Sequence, residues 1–172
     1  LDSWIALRAA GSPAEGGTIT LPETTIAINN SCFAQLDCAF TINWEELPRL
    51  VRIYDSAFAQ SGLTGVIHPV QSTYMMLIRN AAFYQTNIVE ADFSDVSLED
   101  YGESALADCK QLQSVSFGWV CRKSDGEFMS IIPNGSFYGC DALTDLYFTT
   151  EEPIGLLTWY PHAPFQFADG IY

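Results

Sequence analysis

Large apolar residues return along this chain at a long, regular interval, each set in the same short phrase: "RIYDSAF" at 52–58 comes back as "LIRNAAF" at 77–83. The chain can be aligned on Phe33, Phe58, Phe83, Leu106 and Phe137. Five positions earlier stand Ile28, Ile53, Ile78, Tyr101 and Ile132, all large and apolar. Three earlier are Asn30, Asp55, Asn80, Glu103 and Asn134, all polar. Two earlier are Ser31, Ser56, Ala81, Ser104 and Gly135, and one earlier are Cys32, Ala57, Ala82, Ala105 and Ser136, all small. Three later, Ser61, Thr86, Cys109 and Cys140 are small, and Leu36 breaks the column. The copies are 25, 25, 23 and 31 residues apart. Such a period, with a fixed phrase and variable joins, marks stacked structural repeats.

The second half of each unit agrees. Leu112, Val115 and Phe117 follow Leu106 at the offsets by which Leu143, Leu146 and Phe148 follow Phe137. Leu63, Val66 and His68, then Ile88, Ala91 and Phe93, follow the same form one residue tighter. Alternation at the end of this L-x-x-V-x-F pattern predicts a short strand with one buried face. One strand per unit, stacked in register, predicts a parallel sheet on one side of a curved solenoid, with irregular loops on the other. The phrase is then a corner of each coil. Its small columns let successive corners approach. Its Asn/Asp column is expected to bond its own backbone, as turn residues do, and its Phe column to stack as an aromatic ladder inside.

"TITLPETTIAINNSCF" (18–33), "VRIYDSAFAQSGL" (51–63), "SALADCKQLQSVSF" (104–117) and "IIPNGSFYGCDALTDLYF" (131–148) resemble leucine-rich repeats of the BspA type. That family writes a unit roughly as I-x-x-x-A-F-x-x-C-x-x-L-x-x-I-x-I-P. Its Cys matches Cys109 and Cys140, and its Pro matches Pro22. The resemblance spans roughly 17–172. Leu106 departs from the Phe column, Ser61 and Thr86 from the Cys column, residues 34–50 fit poorly, and "GWVCRKSDGEF" (118–128) reads as an insertion. The resemblance implies a solenoid from a bacterial surface or secreted protein that adheres to host or microbial macromolecules.

One domain is expected, with residues 1–16 as an N-terminal cap and 17–172 as a solenoid of about five to six repeats. End coils need caps. "LDSWIALRAAG" (1–11) reads as a short amphipathic helix ended by Gly11, and the aromatic stretch "LLTWYPHAPFQF" (156–167) as a cover for the last coil. A chain that starts at Leu1 and ends in "FADGIY" reads as a piece of a longer protein.

Composition narrows the partners. The 172 residues are 48% hydrophobic, enough for one sizeable core. Seven basic and twenty-one acidic residues leave a net charge of −14, which repels phosphate backbones and anionic lipid. Nucleic acid is therefore an unsuited partner, and no apolar run reaches the roughly 18 residues of a membrane helix. The five cysteines include no CxxC pair, which excludes zinc-ribbon and thioredoxin patterns. Cys32, Cys109 and Cys140 occupy small-residue columns and read as packing residues. Cys38 and Cys121 lie outside the columns, and whether they pair stays open.

No catalytic, metal or cofactor set assembles. Ser136 lacks the spacing of a nucleophile elbow and sits in a packing column. His68 aligns with Phe93, Phe117 and Phe148 and reads as a half-buried core histidine, whereas His162 reads as exposed. Two isolated histidines make neither a triad nor a zinc site. The acidic run 90–104, with Glu90, Asp92, Asp95, Glu99, Asp100 and Glu103, lacks the order of a calcium loop and reads as a solvated loop. The outward positions of the strands remain as a candidate binding face: Glu90, Asp92, Gln113, Ser116, Asp145 and Tyr147. Neighbouring coils would set them about 5 Å apart. The expected function is non-catalytic recognition of a protein or glycan through this face, by a monomer needing no cofactor, outside the cell or on its surface. The alternative is a structural spacer with no partner on this segment.

Overall fold

A computed structural model describes residues 17–70, 74–118, 120, 122–124, 127–133, 135–149 and 154–156. The strands in chain order are β1 (Gly17–Ile19), β2 (Ala27–Ile28), β3 (Phe40–Ile42), β4 (Arg52–Ile53), β5 (Thr64–Ile67), β6 (Met76–Ile78) and β7 (Asn87–Phe93). There follow β8 (Leu98–Tyr101), β9 (Ser114–Phe117), β10 (Arg122–Ser124), β11 (Glu127–Ile132), β12 (Asp145–Phe148) and β13 (Ile154–Leu156). The parallel sheet that the L-x-x-V-x-F strands predict is present, in the order β5-β7-β9-β12. The opposite side is more than loops. The Ile column forms a second parallel sheet, β2-β4-β6-β8. Each coil thus enters its corner from one sheet and leaves it into the other, so we call them the entry and exit sheets. β3 pairs with β1, and Phe40 bridges to Leu63 at the edge of the exit sheet. The insertion at 118–128 contributes β10, which pairs antiparallel with β11. The expected helix at 1–11, and the aromatic stretch beyond Leu156, lie outside the described residues. Among those described, the one helical segment is a 3₁₀ turn at Trp44–Glu46.

The corner explains the repeat. Ser31, Ser56, Ala81, Ser104 and Gly135 all have positive φ, between 52° and 71°. So do Gln35, Gln60, Gln85, Asp108 and Gly139, four residues further on, between 54° and 69°. These left-handed residues turn alternate amides along the solenoid axis. Ser31, Phe33 and Gln35 donate to the carbonyls of Asp55, Ala57 and Ala59 on the next coil. Ser56, Phe58 and Gln60 donate to Asn80, Ala82 and Tyr84, and Ala81, Phe83 and Gln85 to Glu103, Ala105 and Ala107. The amides between them, such as Cys32 and Ala34, fold back to Asn29 and Ser31 within their own turn. A left-handed non-glycine residue costs about 1–2 kcal/mol, but an unsatisfied buried amide costs as much or more.

Two sequence expectations change here. The column just before the Phe is small because it is buried: Ala57, Ala82, Ala105 and Ser136 are fully enclosed. The column before that is partly exposed, and there the left-handed backbone sets the choice. Two members of the Asn/Asp column, Asp55 and Asn80, bond the next coil. Asp55 Oδ1 accepts the Asn80 amide at 3.1 Å, and Asn80 Oδ1 accepts the Glu103 amide at 2.9 Å.

Inside, Phe33, Phe58 and Phe83 form the expected ladder, with ring centroids 5.1 and 5.4 Å apart and planes within 7°. Such pairs add about 0.5–1.5 kcal/mol each beyond burial. Leu106 ends the ladder, and the same coil compensates. Tyr101 replaces the Ile of its column and places its ring 5.3 Å from Phe117, edge-on. A large residue and a smaller one have exchanged columns at similar total volume. The exchange leaves the Tyr101 hydroxyl buried without a hydrogen-bond partner among the described residues.

Cys109 and Cys140 are buried in the column read as packing, and they also bond. Each Sγ donates at 3.1 Å to a carbonyl of the preceding coil, that of Phe83 for Cys109 and that of Leu106 for Cys140. Thr86, in the same column, donates to Phe83 O at 3.0 Å. Ser136 is likewise a buried residue, its hydroxyl donating to Pro133 O at 2.7 Å.

Two predictions follow from the corner. Ala81→Gly should leave stability within about 0.5 kcal/mol of the parent or raise it, because relief of the left-handed strain offsets the added chain entropy. Ala82→Gly, buried and without positive φ, should lose about 1 kcal/mol or more. Urea midpoints compare them, and equal losses would refute the backbone explanation. The second concerns the thiols. Burial pushes Cys109 to about 11 and Cys140 to about 12, from an ordinary 9.0. Above pH 9 the unfolded chain then binds fewer protons than the folded one. Stability should fall as pH rises, by up to about 1.4 kcal/mol per pH unit per thiol. Cys109→Thr, which borrows the solution of Thr86, should flatten that slope in urea titrations between pH 8 and pH 10.

Candidate functional site

The outer face of the exit sheet is built by register. Val66 pairs with Glu90, Glu90 with Ser114 and Ser114 with Asp145, giving one row across four coils. Asp92, Ser116 and Tyr147 pair in a second row. Parallel strands about 4.8 Å apart hold both rows rigidly. Asp145 and Tyr147 are exposed, Tyr147 at 55%, and Glu90, Asp92, Ser114 and Ser116 are half-buried. Five of the six residues picked from sequence therefore share this face in two rows. Gln113 stands one residue before β9, exposed, and the place beside Glu90 belongs to Ser114. The Gln113 backbone instead ties coils together: its amide donates to Val89 O at 2.8 Å, and its carbonyl accepts the Asp145 amide at 3.1 Å.

The polar ends of the rows are fixed. Tyr147 Oη donates to Asp145 Oδ1 at 3.1 Å, and Thr144 Oγ1 donates to Asp145 Oδ2 at 2.8 Å. The acceptor carboxylate and its charge raise the tyrosine pKa. Asp92 Oδ1 accepts the Ser94 amide at 3.0 Å, which orders the turn after β7.

His68 differs from its sequence reading. The register of β5 against β7 shifts between Gly65 and Val66. Ile67 therefore takes the inward place opposite Ala91, Val66 turns outward at 48% exposure, and His68 follows onto the outer face. Its imidazole is one-third exposed and stands among three carboxylates. Nδ1 is 3.7 Å from Glu45 Oε1, and Nε2 is 3.9 Å from Asp92 Oδ2 and 3.5 Å from Asp95 Oδ2. Nε2 is enclosed without a hydrogen-bond partner among the described residues. Sequence reasoning missed Glu45, which arrives from the 3₁₀ turn in the stretch that fits the repeat least. The one available signal for the shift was Gly65, since an isolated glycine inside a strand often marks a bulge.

The acidic run 90–104 is not one loop. Glu90 and Asp92 belong to the exit sheet, Glu99 and Asp100 to the entry sheet, and Glu103 to the next corner. Asp100 is held by Arg79, Nη1 to Oδ2 at 2.6 Å. The turn of the coil thus deals neighbouring carboxylates to different faces. Among the described residues no group of three or more His, Cys, Asp and Glu could hold a metal ion. Cys32, Cys38, Cys109 and Cys140 are free thiols; Cys121 and His162 lie outside the described residues. The face offers an acidic, rigid surface with a tyrosine and a histidine on it, suited to contact with a partner.

A family model described as "BspA type Leucine rich repeat region" matches residues 28–154 as six copies. Neither curated proteins nor solved structures yield a match. The matched residues cover the corners, both sheets and the insertion, and the chain belongs to the BspA-type leucine-rich repeat family.

Proposed function

We propose that this domain is a non-catalytic recognition module of a secreted or cell-surface bacterial protein, and that it contacts a protein or glycan through the outer face of the exit sheet. The family supports a repeat module of bacterial surface proteins, and its fold generally serves interaction and not catalysis. Among the described residues no helix is long and apolar enough to cross a membrane. The observation that carries the reading is the register. Glu90 and Asp92 of β7 and Asp145 and Tyr147 of β12 stand on either side of β9 and lie in two adjacent rows. A surface ordered before binding loses little entropy on contact. Its carboxylates favour a partner with complementary positive charge and steer its approach. The gap at Ser114 and Ser116, between the acidic strands, leaves room for a side chain of that partner.

The test is binding of the purified domain to extracellular-matrix proteins and a glycan panel, by interferometry at two salt concentrations. A partner should bind more weakly at high salt. Asp145→Lys, and Asp92→Asn (which keeps the Ser94 bond), should each weaken binding about fivefold or more without changing the melting temperature. Binding unchanged by both substitutions would place the contact elsewhere. No binding even near millimolar affinity, about −4 kcal/mol, would favour the spacer reading.

A further inference from the structure

The other side of the coil carries a different surface. Among the described lysine and arginine side chains there are four, Arg49, Arg52, Arg79 and Lys110. Arg79 is paired with Asp100, and Lys110 with Asp108 and Asp141. Arg49 and Arg52 form no ion pair or side-chain hydrogen bond with any described residue. In a chain of net charge −14, two exposed guanidiniums three residues apart without an ion pair to a described residue are unexpected. Both border a depression of about 550 Å³ on the outer face of the entry sheet. Its lining is aliphatic: Val51, Met75 and Leu77 contribute, and Leu77 lies beside Arg52 in the strand register. Ile26 and Tyr74, 45% and 76% exposed, extend the apolar surface around it. The corresponding outward positions of the exit sheet hold Glu90, Asp92, Ser114 and Ser116.

We propose that this depression is a second binding site, which takes an acidic peptide segment of a partner protein. One apolar side chain of the peptide lies on Val51, Met75 and Leu77, and flanking carboxylates pair with Arg49 and Arg52. The guanidinium fork suits a carboxylate in geometry as well as charge. Glu99 on the rim orients the ligand, because it repels acid groups toward the arginine side. A polyphosphate would pair with the arginines but leave the apolar lining of Val51, Met75 and Leu77 without a partner. A glycan would need more hydrogen-bonding groups than an aliphatic lining with two arginines and one glutamate provides. The site faces away from the exit sheet and stands independently of the function proposed for that face.

The chain has three methionines, Met75, Met76 and Met129. Met75 lines the depression and Met76 points into the core, so methionine-methyl NMR reads the site against an internal control. The probe is the capped peptide Glu-Asp-Leu-Leu-Asp-Glu, with Gln-Asn-Leu-Leu-Asn-Gln as its neutral counterpart. A saturable shift of the Met75 methyl with Met76 unmoved is expected for the acidic peptide. Arg49→Gln and Arg52→Gln should each weaken it roughly tenfold, and Asp145→Lys on the opposite sheet should not. Both arginines are exposed, and an unmoved Met76 signal confirms that each variant is folded. Equal binding of the neutral peptide, a Met75 shift indifferent to both arginines, no shift up to roughly millimolar affinity, or a shift seen only with phosphatidylserine vesicles would each overturn the proposal.

Discussion

The rest of the structure depends on the hydrogen bonds between successive corners. In each of the first three corners three amides reach along the axis to the coil that follows, and in the fourth Leu106 and Asp108 do so, while those between them close their own turn. This alternation leaves the corner amides satisfied without help from water, and it fixes where each coil lies relative to the next. Once one corner is stacked, the register of the two sheets is set on either side of it, apart from the single shifts at Gly65/Val66 and Met76/Leu77. That is how the aromatic ladder, the Asn/Asp ladder and the outward rows come to run parallel. Even the insertion at 118–128 does not interrupt the stack. Leu106 and Asp108 still donate to Ser136 and Tyr138 across it, and the extra residues leave the coil between corners.

The constraint also explains which substitutions the repeat tolerates. A left-handed residue must sit at two places per corner, and the five copies fill them with Ser, Ala, Gln, Asp and Gly, none of them β-branched. The interior is looser. Leu106 can replace a Phe because Tyr101, in the same coil, supplies the ring that Phe117 meets edge-on. The same column holds Thr86, Cys109 and Cys140, because a hydroxyl and a thiol can each donate to a buried carbonyl. Backbone geometry is kept from coil to coil, and side-chain volume is traded within the coil of Tyr101 and Leu106.

The repeat was legible because each column is written five times. The strand direction, the Phe ladder and the burial of Cys109, Cys140 and Ser136 all followed from it. The cause of the small columns did not, since small size serves both close packing and positive φ. The last copy held the clue. In "NGSFYG", Gly135 and Gly139 occupy both left-handed positions at once. The second sheet was hidden because its strands are two to four residues long, too short for alternation to show. Of the candidate face, the acidic strand residues were legible and their partners were not. One bulge at Gly65 turned His68 out of the core, and one register step put Ser114 in the place assigned to Gln113.

A coil with two sheets has two outer faces, and this sequence treats them differently. The exit face carries carboxylates whose neighbours are serines, a tyrosine and a histidine. The entry face carries aliphatic residues and arginines, with Glu99 and Asp100 of β8 beside them. Local sequence cannot create this asymmetry by itself, because residues a few positions apart are sent to opposite faces, as Asp92 and Asp100 are. It arises only when the same choice recurs at the repeat interval. Arg52 and Leu77 are neighbours because 25 residues separate them, and Asp92 meets Ser116 for the same reason at 24. A composition acidic enough to neutralise every cation leaves Arg49 and Arg52 without an ion pair among the described residues. Of the two acids on β8, Asp100 is taken by Arg79 at 2.6 Å, and Glu99 stands on the rim of the depression without an ion pair to a described residue. The fold thus separates charges that the sequence mixes. That separation gives the two faces of one small solenoid different chemistry.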